Sequence, residues 1–84
     1  MASSQRICII VNPAAGHYRS KKLLPEVTGL LSQRGIEFDL FETEGPGHAE
    51  ALAQELCHGD YKMIVAMGGD GTLGEVINGL FASP

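Results

Sequence analysis

The sequence predicts an α/β fold: a three-layer α/β/α arrangement on a parallel sheet, in the order β-α-β-α-β-α. Three observations carry this. Three short apolar runs, Arg6–Val11, Ile36–Phe41 and Met63–Met67, have the length and composition of strands. After each of them, apolar residues recur at helical spacing. Turn residues part each strand from the helix that follows: Asn12-Pro13, Gly45-Pro46-Gly47 and Gly68-Gly69. Strands alternating with amphipathic helices imply right-handed crossovers, and hence parallel strands with helices on the faces.

Arg6–Val11 reads Arg-Ile-Cys-Ile-Ile-Val, unbroken and β-branched, which marks a strand buried on both faces. Leu23, Leu24, Val27, Leu30 and Leu31 then share one helical face, closed by Gly35 after Arg34. Because proline is tolerated mainly in a first turn, Pro25 predicts a regular helix beginning near Leu23 or Leu24. Ile36–Phe41 interleaves apolar residues with Glu37 and Asp39, as a less buried second strand does. The second helix has Ala49, Leu52, Ala53, Leu56 and Cys57 on its buried face and ends at Gly59. After the third strand, Leu73, Val76, Ile77 and Leu80 form the buried stripe expected of the third helix. Thr72 and Glu75 make a T-x-x-E capping box, which predicts its start. The sequence stops at Phe81-Ala82-Ser83-Pro84, just where a further strand is expected. The expectation is therefore the incomplete N-terminal part of a Rossmann-like nucleotide-binding domain, spanning residues 1–84.

Composition excludes several classes. With 84 residues there is room for one domain at most, and 44% hydrophobic content argues against disorder. There is no apolar run long enough to span a bilayer, and Met-Ala-Ser-Ser-Gln-Arg lacks the apolar segment of a secretory signal. A net charge of −4 gives no diffuse basic surface for nucleic acid. Cys8 and Cys57 are too few for a disulfide framework or a zinc site, and read as reduced residues of a cytoplasmic protein.

The chemistry concentrates in Gly68-Gly69-Asp70-Gly71-Thr72. In an open parallel sheet, ligands bind beyond the carboxyl ends of the strands, where this turn would lie. Glycines let backbone approach an anion, and the helix behind offers free N–H groups with a partial positive charge. Gly69-x-Gly71-x-x-Gly74 also satisfies the dinucleotide pattern G-x-G-x-x-G, a weak signal alone. Asp70 would repel bare phosphate. Its place makes sense if Mg²⁺ bridges it or if it takes a proton from a reacting hydroxyl. Asn12 and Gly16, after the first strand, would sit beside this turn. His48, in the first turn of the second helix, is poorly placed to carry positive charge.

Taken together, Asn12-Pro13-x-Ala15-Gly16, Thr43-x-x-x-Gly47-His48-Ala49 and Gly68-Gly69-Asp70-Gly71-Thr72-Leu73-x-Glu75-Val76-x-Asn78-Gly79-Leu80 resemble the diacylglycerol kinase catalytic domain family. That family includes sphingosine, ceramide and bacterial soluble lipid kinases. The resemblance implies ATP-dependent phosphorylation of a lipid hydroxyl with Mg²⁺. Gly68, Gly69, Asp70, Gly71 and Thr72 would cradle the nucleotide phosphates, Asn12 and Thr43 would complete the pocket, and Asp70 would be catalytic or metal-linked. It also implies a second, β-rich domain that this sequence lacks, so the expectation is a segment inactive alone. Transient membrane contact would then fall to the absent part, while an open sheet edge is where a second copy would pair. Tyr18 and Arg19 stand where the family often has glycine and lysine, and Gly74 where it commonly has Asn or His. An NAD kinase-like segment shares the Gly-Gly-Asp-Gly-Thr block, and a non-catalytic interaction module would keep the fold without ATP.

Overall fold

The computed structural model describes residues 5–82, so Met1–Ser4 and the final Ser83-Pro84 of the expected stop lie outside the described residues. The elements are β1 (Ile7–Val11), α1 (Ala15–Gln33), β2 (Phe38–Glu42), α2 (His48–Leu56), β3 (Met63–Met67) and α3 (Asp70–Ala82). They form one parallel sheet in the order β2-β1-β3. The most apolar run takes the centre, where both faces and both edges are covered: Cys8, Ile9, Ile10 and Val11 are fully buried. Strand alternation then sends Ile7, Ile9 and Val11 to one face, under Leu24 and Leu31 of α1. Ile10 goes to the other, against Ala49 and Ala53 of α2 and Val76 of α3. Each fully buried Ile or Val contributes about 1.5–3 kcal/mol, so β1 anchors both layers.

Helix α1 departs from the sequence expectation. It does not begin near Leu23 but at Ala15, and Pro25 lies inside it. Gly16, His17 and Tyr18 take left-handed backbone angles, so regular helical geometry runs from Arg19. Proline leaves the carbonyl four residues back without its helical donor. That residue is Lys21, exposed like Pro25, so the missing bond falls on the solvent side of the helix. The expected stop holds. Gly35, at φ +70°, lets its N–H reach Ser32 O at 3.1 Å and that of Ile36 reach Leu31 O at 2.9 Å, a Schellman closure.

Helix α3 corrects two further expectations. It starts at Asp70, and Leu73 N–H donates to Gly69 O at 3.1 Å, so Gly69 caps the helix and Thr72 lies within its first turn. The T-x-x-E pattern is no capping box here. Nor is most of the expected stripe buried: of Leu73, Val76, Ile77 and Leu80 only Val76 is, joined by Thr72 and Gly79, while the other three are exposed. The cause is a close approach to α2. A Cβ at Gly79 would fall 2.8 Å from Ala53 Cβ and closer still to the Glu50 carbonyl oxygen. Val76 and Gly79 therefore face α2 across the helix–helix seam, and the bulky residues turn outward.

At the amino ends of the strands, a polar brace ties the three together. Arg6 Nη2 donates to Asp39 Oδ1 and, at 3.0 Å, to Phe38 O; Tyr61 OH donates to Asp39 Oδ2 at 2.7 Å. The Arg6 guanidinium, then the Tyr61 hydroxyl, holds the Asp39 carboxyl below the usual range. Its bond to Asp39 pushes the Tyr61 phenol up to about 12. Burial raises the Cys8 thiol, and both cysteines are free.

Candidate functional site

Parallel topology brings the loops after β1, β2 and β3 to one end of the sheet, opposite the Arg6–Asp39–Tyr61 brace. There they surround a cleft of about 390 Å³. Asn12, Pro13 and Ala14 supply the first wall, Thr43 through Pro46 the second, and Gly71, Thr72 and Glu75 of α3 the third.

Two side-chain bonds order the first wall. Asn12 Oδ1 accepts the Ala14 N–H at 3.2 Å, folding the loop over its own asparagine. Asn12 Nδ2 donates to Thr72 Oγ1 at 3.3 Å, tying the end of β1 to the first turn of α3. Thr72 is buried at 6% exposure, and its seat depends on Gly68. A Cβ at Gly68 would stand 2.6 Å from Thr72 Cβ, so any side chain there would displace the threonine. Gly69 and Gly71 differ: a Cβ at either meets nothing within 4 Å. That space is open to a ligand. With α3 starting at Asp70, its early N–H groups lie at the same end, where the helix dipole favours an anion.

The second wall is fastened from outside itself. Thr43 N–H donates to Val11 O at 2.8 Å, fixing the base of the loop to β1. Glu44 N–H donates to His48 Nδ1 at 2.9 Å, and Gly47 N–H to Glu75 Oε2 at 3.1 Å. His48 thus accepts through Nδ1 and reaches back from the start of α2 to its own loop.

Of the residues singled out in the sequence, Asn12, Thr43, Gly71 and Thr72 line one cleft. Gly68, Gly69 and Asp70 are exposed on the turn leading into α3 and do not line it. Glu44, Gly45, Pro46 and Glu75 also line it and were not among the expected site residues. Glu75 was masked by its apparent local role as a cap, and Gly45-Pro46-Gly47 by its ordinary reading as a turn. Among the described residues, no three His, Cys, Asp or Glu gather to hold a metal. Asp70 is a single exposed carboxylate at the start of α3.

A parallel sheet with crossover helices and loops gathered at the strands' carboxyl ends defines the class of open α/β domain that binds ligands at that end. Residues 6–84 match the diacylglycerol kinase catalytic domain family, and the chain belongs to it. It is 38% identical over 80 residues to a diacylglycerol kinase of Staphylococcus carnosus, covering 95% of this chain and 26% of that protein. With a diacylglycerol kinase of Staphylococcus haemolyticus, identity is 42% over 76 residues, covering 90% and 23%. A solved structure described as a candidate diacylglycerol kinase of Bacillus anthracis superposes with a TM-score of 0.78 at 28% identity, covering 93% of this chain and 28% of that one. The chain spans about a quarter of the length of the curated relatives it matches. No helix among the described residues is long and apolar enough to cross a membrane.

Proposed function

We propose that residues 1–84 form the nucleotide-binding part of an ATP-dependent lipid kinase, one that transfers the γ-phosphate to a hydroxyl of a diacylglycerol or sphingoid type of acceptor. The observation that carries this reading is the Asn12–Thr72 bond beside the open backbone of Gly69 and Gly71. It joins two loops into one cradle and leaves free the space a phosphate chain needs. Phosphoryl transfer asks mainly for alignment and charge neutralisation, which a backbone cradle supplies.

In this reading Asn12, Thr43, Gly71 and Thr72 contact the nucleotide, and Gly68, Gly69 and Asp70 form the turn over its phosphates. Among the described residues the cleft lining includes Glu44 and Glu75 and no Lys or Arg, which favours an anionic ligand that brings its own cation. That supports a Mg²⁺-bound nucleotide. Asp70 would hold the ion, which supplies charge neutralisation at the transferred phosphate. The acceptor, a cytoplasmic setting and transient contact with membrane belong to the same proposal, as does a second copy at the sheet edge.

Titration of the isotope-labelled chain with Mg²⁺–ADP, Mg²⁺–ATP and NAD tests the site. Saturable amide shifts at Asn12, Thr43 and Gly68 to Thr72 with the adenine nucleotides are expected. A dispersed spectrum that responds to NAD alone would replace the lipid-kinase reading with that of an NAD kinase.

A further inference from the structure

The cleft's second wall is a loop that packing does not hold. Glu44, Gly45, Pro46 and Gly47 are all exposed, and the Cβ position of Gly47 meets nothing within 4 Å. Yet Gly47 is held at φ +85°, a left-handed angle suited to glycine. What fixes the tip are hydrogen bonds. Besides the turn bond from His48 N–H to Gly45 O at 3.2 Å, two come from side chains. His48 Nδ1 takes the Glu44 N–H at 2.9 Å, and Glu75 Oε2 takes the Gly47 N–H at 3.1 Å.

Their origins differ. His48 opens α2 and reaches back four residues to its own loop. Glu75 crosses from α3, one turn beyond the Gly71–Thr72 wall, and so spans from one side of the cleft to the other. The base of the loop is secured independently by Thr43 N–H on Val11 O. The side-chain bonds therefore govern where the tip stands, and the strand pairing beneath does not depend on them.

We propose that Glu75 and His48 are positioning residues that set the width of the cleft by pinning the β2–α2 loop toward α3, so that nucleotide affinity depends on them without either having to touch the reacting atoms. The inference rests on the reading of the cleft as a nucleotide site. The bland alternative is that both merely cap α2, since Gly47 is its N-cap residue and a carboxylate is favourable there.

Conservative variants separate the two. Glu75→Gln keeps an acceptor oxygen, and the carbonyl of His48→Asn reproduces the reach of Nδ1; Glu75→Ala and His48→Ala remove the acceptors. For each 84-residue chain, hydrogen exchange at the Glu44 and Gly47 amides, melting midpoint and Mg²⁺–ADP affinity are measured. Loss of one such bond is expected to speed exchange of its amide and weaken Mg²⁺–ADP binding by about fivefold to tenfold. The melting midpoint should fall by no more than about 4–8 °C, the cost of losing one such bond, and Gln and Asn should restore affinity to within about twofold. Affinities alike in all five chains would overturn the proposal, as would weakening that merely follows lost stability. A folded wild-type chain with protected Glu44 and Gly47 amides that binds no Mg²⁺–ADP would instead overturn the nucleotide reading, and this inference with it.

Discussion

One helix offers the same substitution with opposite expected signs. Gly74 and Gly79 both lie in α3, where replacing glycine by alanine gains about 0.5–1 kcal/mol of helix propensity. At Gly74 a Cβ meets nothing within 4 Å, so the gain should appear undiminished. At Gly79 the Cβ would fall 2.8 Å from Ala53 Cβ and 3.0 Å from the Gln54 nitrogen, with the Glu50 carbonyl oxygen nearer still. Two of these three obstacles are backbone, which no rotamer change can move aside. Overpacking typically costs about 1–3 kcal/mol, and an obstacle made of backbone belongs at the upper end. Setting about 3 kcal/mol against a gain of about 1 leaves Gly79→Ala roughly 2 kcal/mol less stable.

For a domain of this size, 1 kcal/mol shifts the melting midpoint by about 4–8 °C. Gly79→Ala should therefore melt about 8–16 °C below the wild type, and Gly74→Ala about 2–8 °C above it. Thermal unfolding followed by far-ultraviolet circular dichroism reads both. If the two variants shift the midpoint in the same direction, the claim that Gly79 exists for the α2–α3 approach is wrong.

Three other outcomes follow from the same geometry. Gly69→Ala and Gly71→Ala, whose Cβ atoms enter open space, should fold with unchanged or slightly raised melting midpoints yet bind Mg²⁺–ADP at least about tenfold more weakly; unaltered titration curves would remove the phosphates from that turn. Tyr18 is 59% exposed at φ +69°, so Tyr18→Gly should relieve about 1 kcal/mol of left-handed strain and raise the midpoint by about 4–8 °C, a change absent if the angle is unstrained. Because the folded carboxyl pKa of Asp39 is lowered, its contribution is present above the unfolded value and lost as pH falls through the folded one; the Tyr61 contribution is complete below 10.0 and lost as pH rises toward about 12. Asp39→Asn should start less stable at neutral pH and lose less on acidification, and an unchanged pH profile of the melting midpoint would sink the brace.

Much of the fold was legible because strand burial and chain order are encoded locally. Arg6–Val11 reads as a doubly covered strand, and it is the central one. Parallel pairing then places all three loops at one end, which is why Asn12, Thr43, Gly71 and Thr72 meet although they are far apart in sequence. What failed has a common cause: a local pattern with a complete local explanation. Thr72 and Glu75 satisfy a capping box on paper, but Gly69 already caps the helix, and both side chains bond to other elements. Pro25 satisfies a first-turn rule, yet the carbonyl it leaves without a helical donor belongs to exposed Lys21, and the helix continues through it. A stripe of large residues satisfies amphipathicity in α3, while of that stripe only Val76 is buried, and the close approach to α2 is made at Gly79, a residue that a hydrophobicity count ranks low.

The glycines of the motif show why composition alone could not divide labour within it. None of Gly68, Gly69 or Gly71 needs a positive φ, so backbone freedom is not what selects them. Gly68 is small because Thr72 lies against it; at Gly69 and Gly71 no described residue lies within 4 Å of where a Cβ would stand. The first is a packing requirement and the other two carry no packing requirement among the described residues. A side chain at Gly68 should therefore cost fold and cradle together through the displaced threonine, whereas side chains at Gly69 and Gly71 should cost the ligand alone. That separation of stability from affinity within four residues is what the proposed phosphate site at the start of α3 requires.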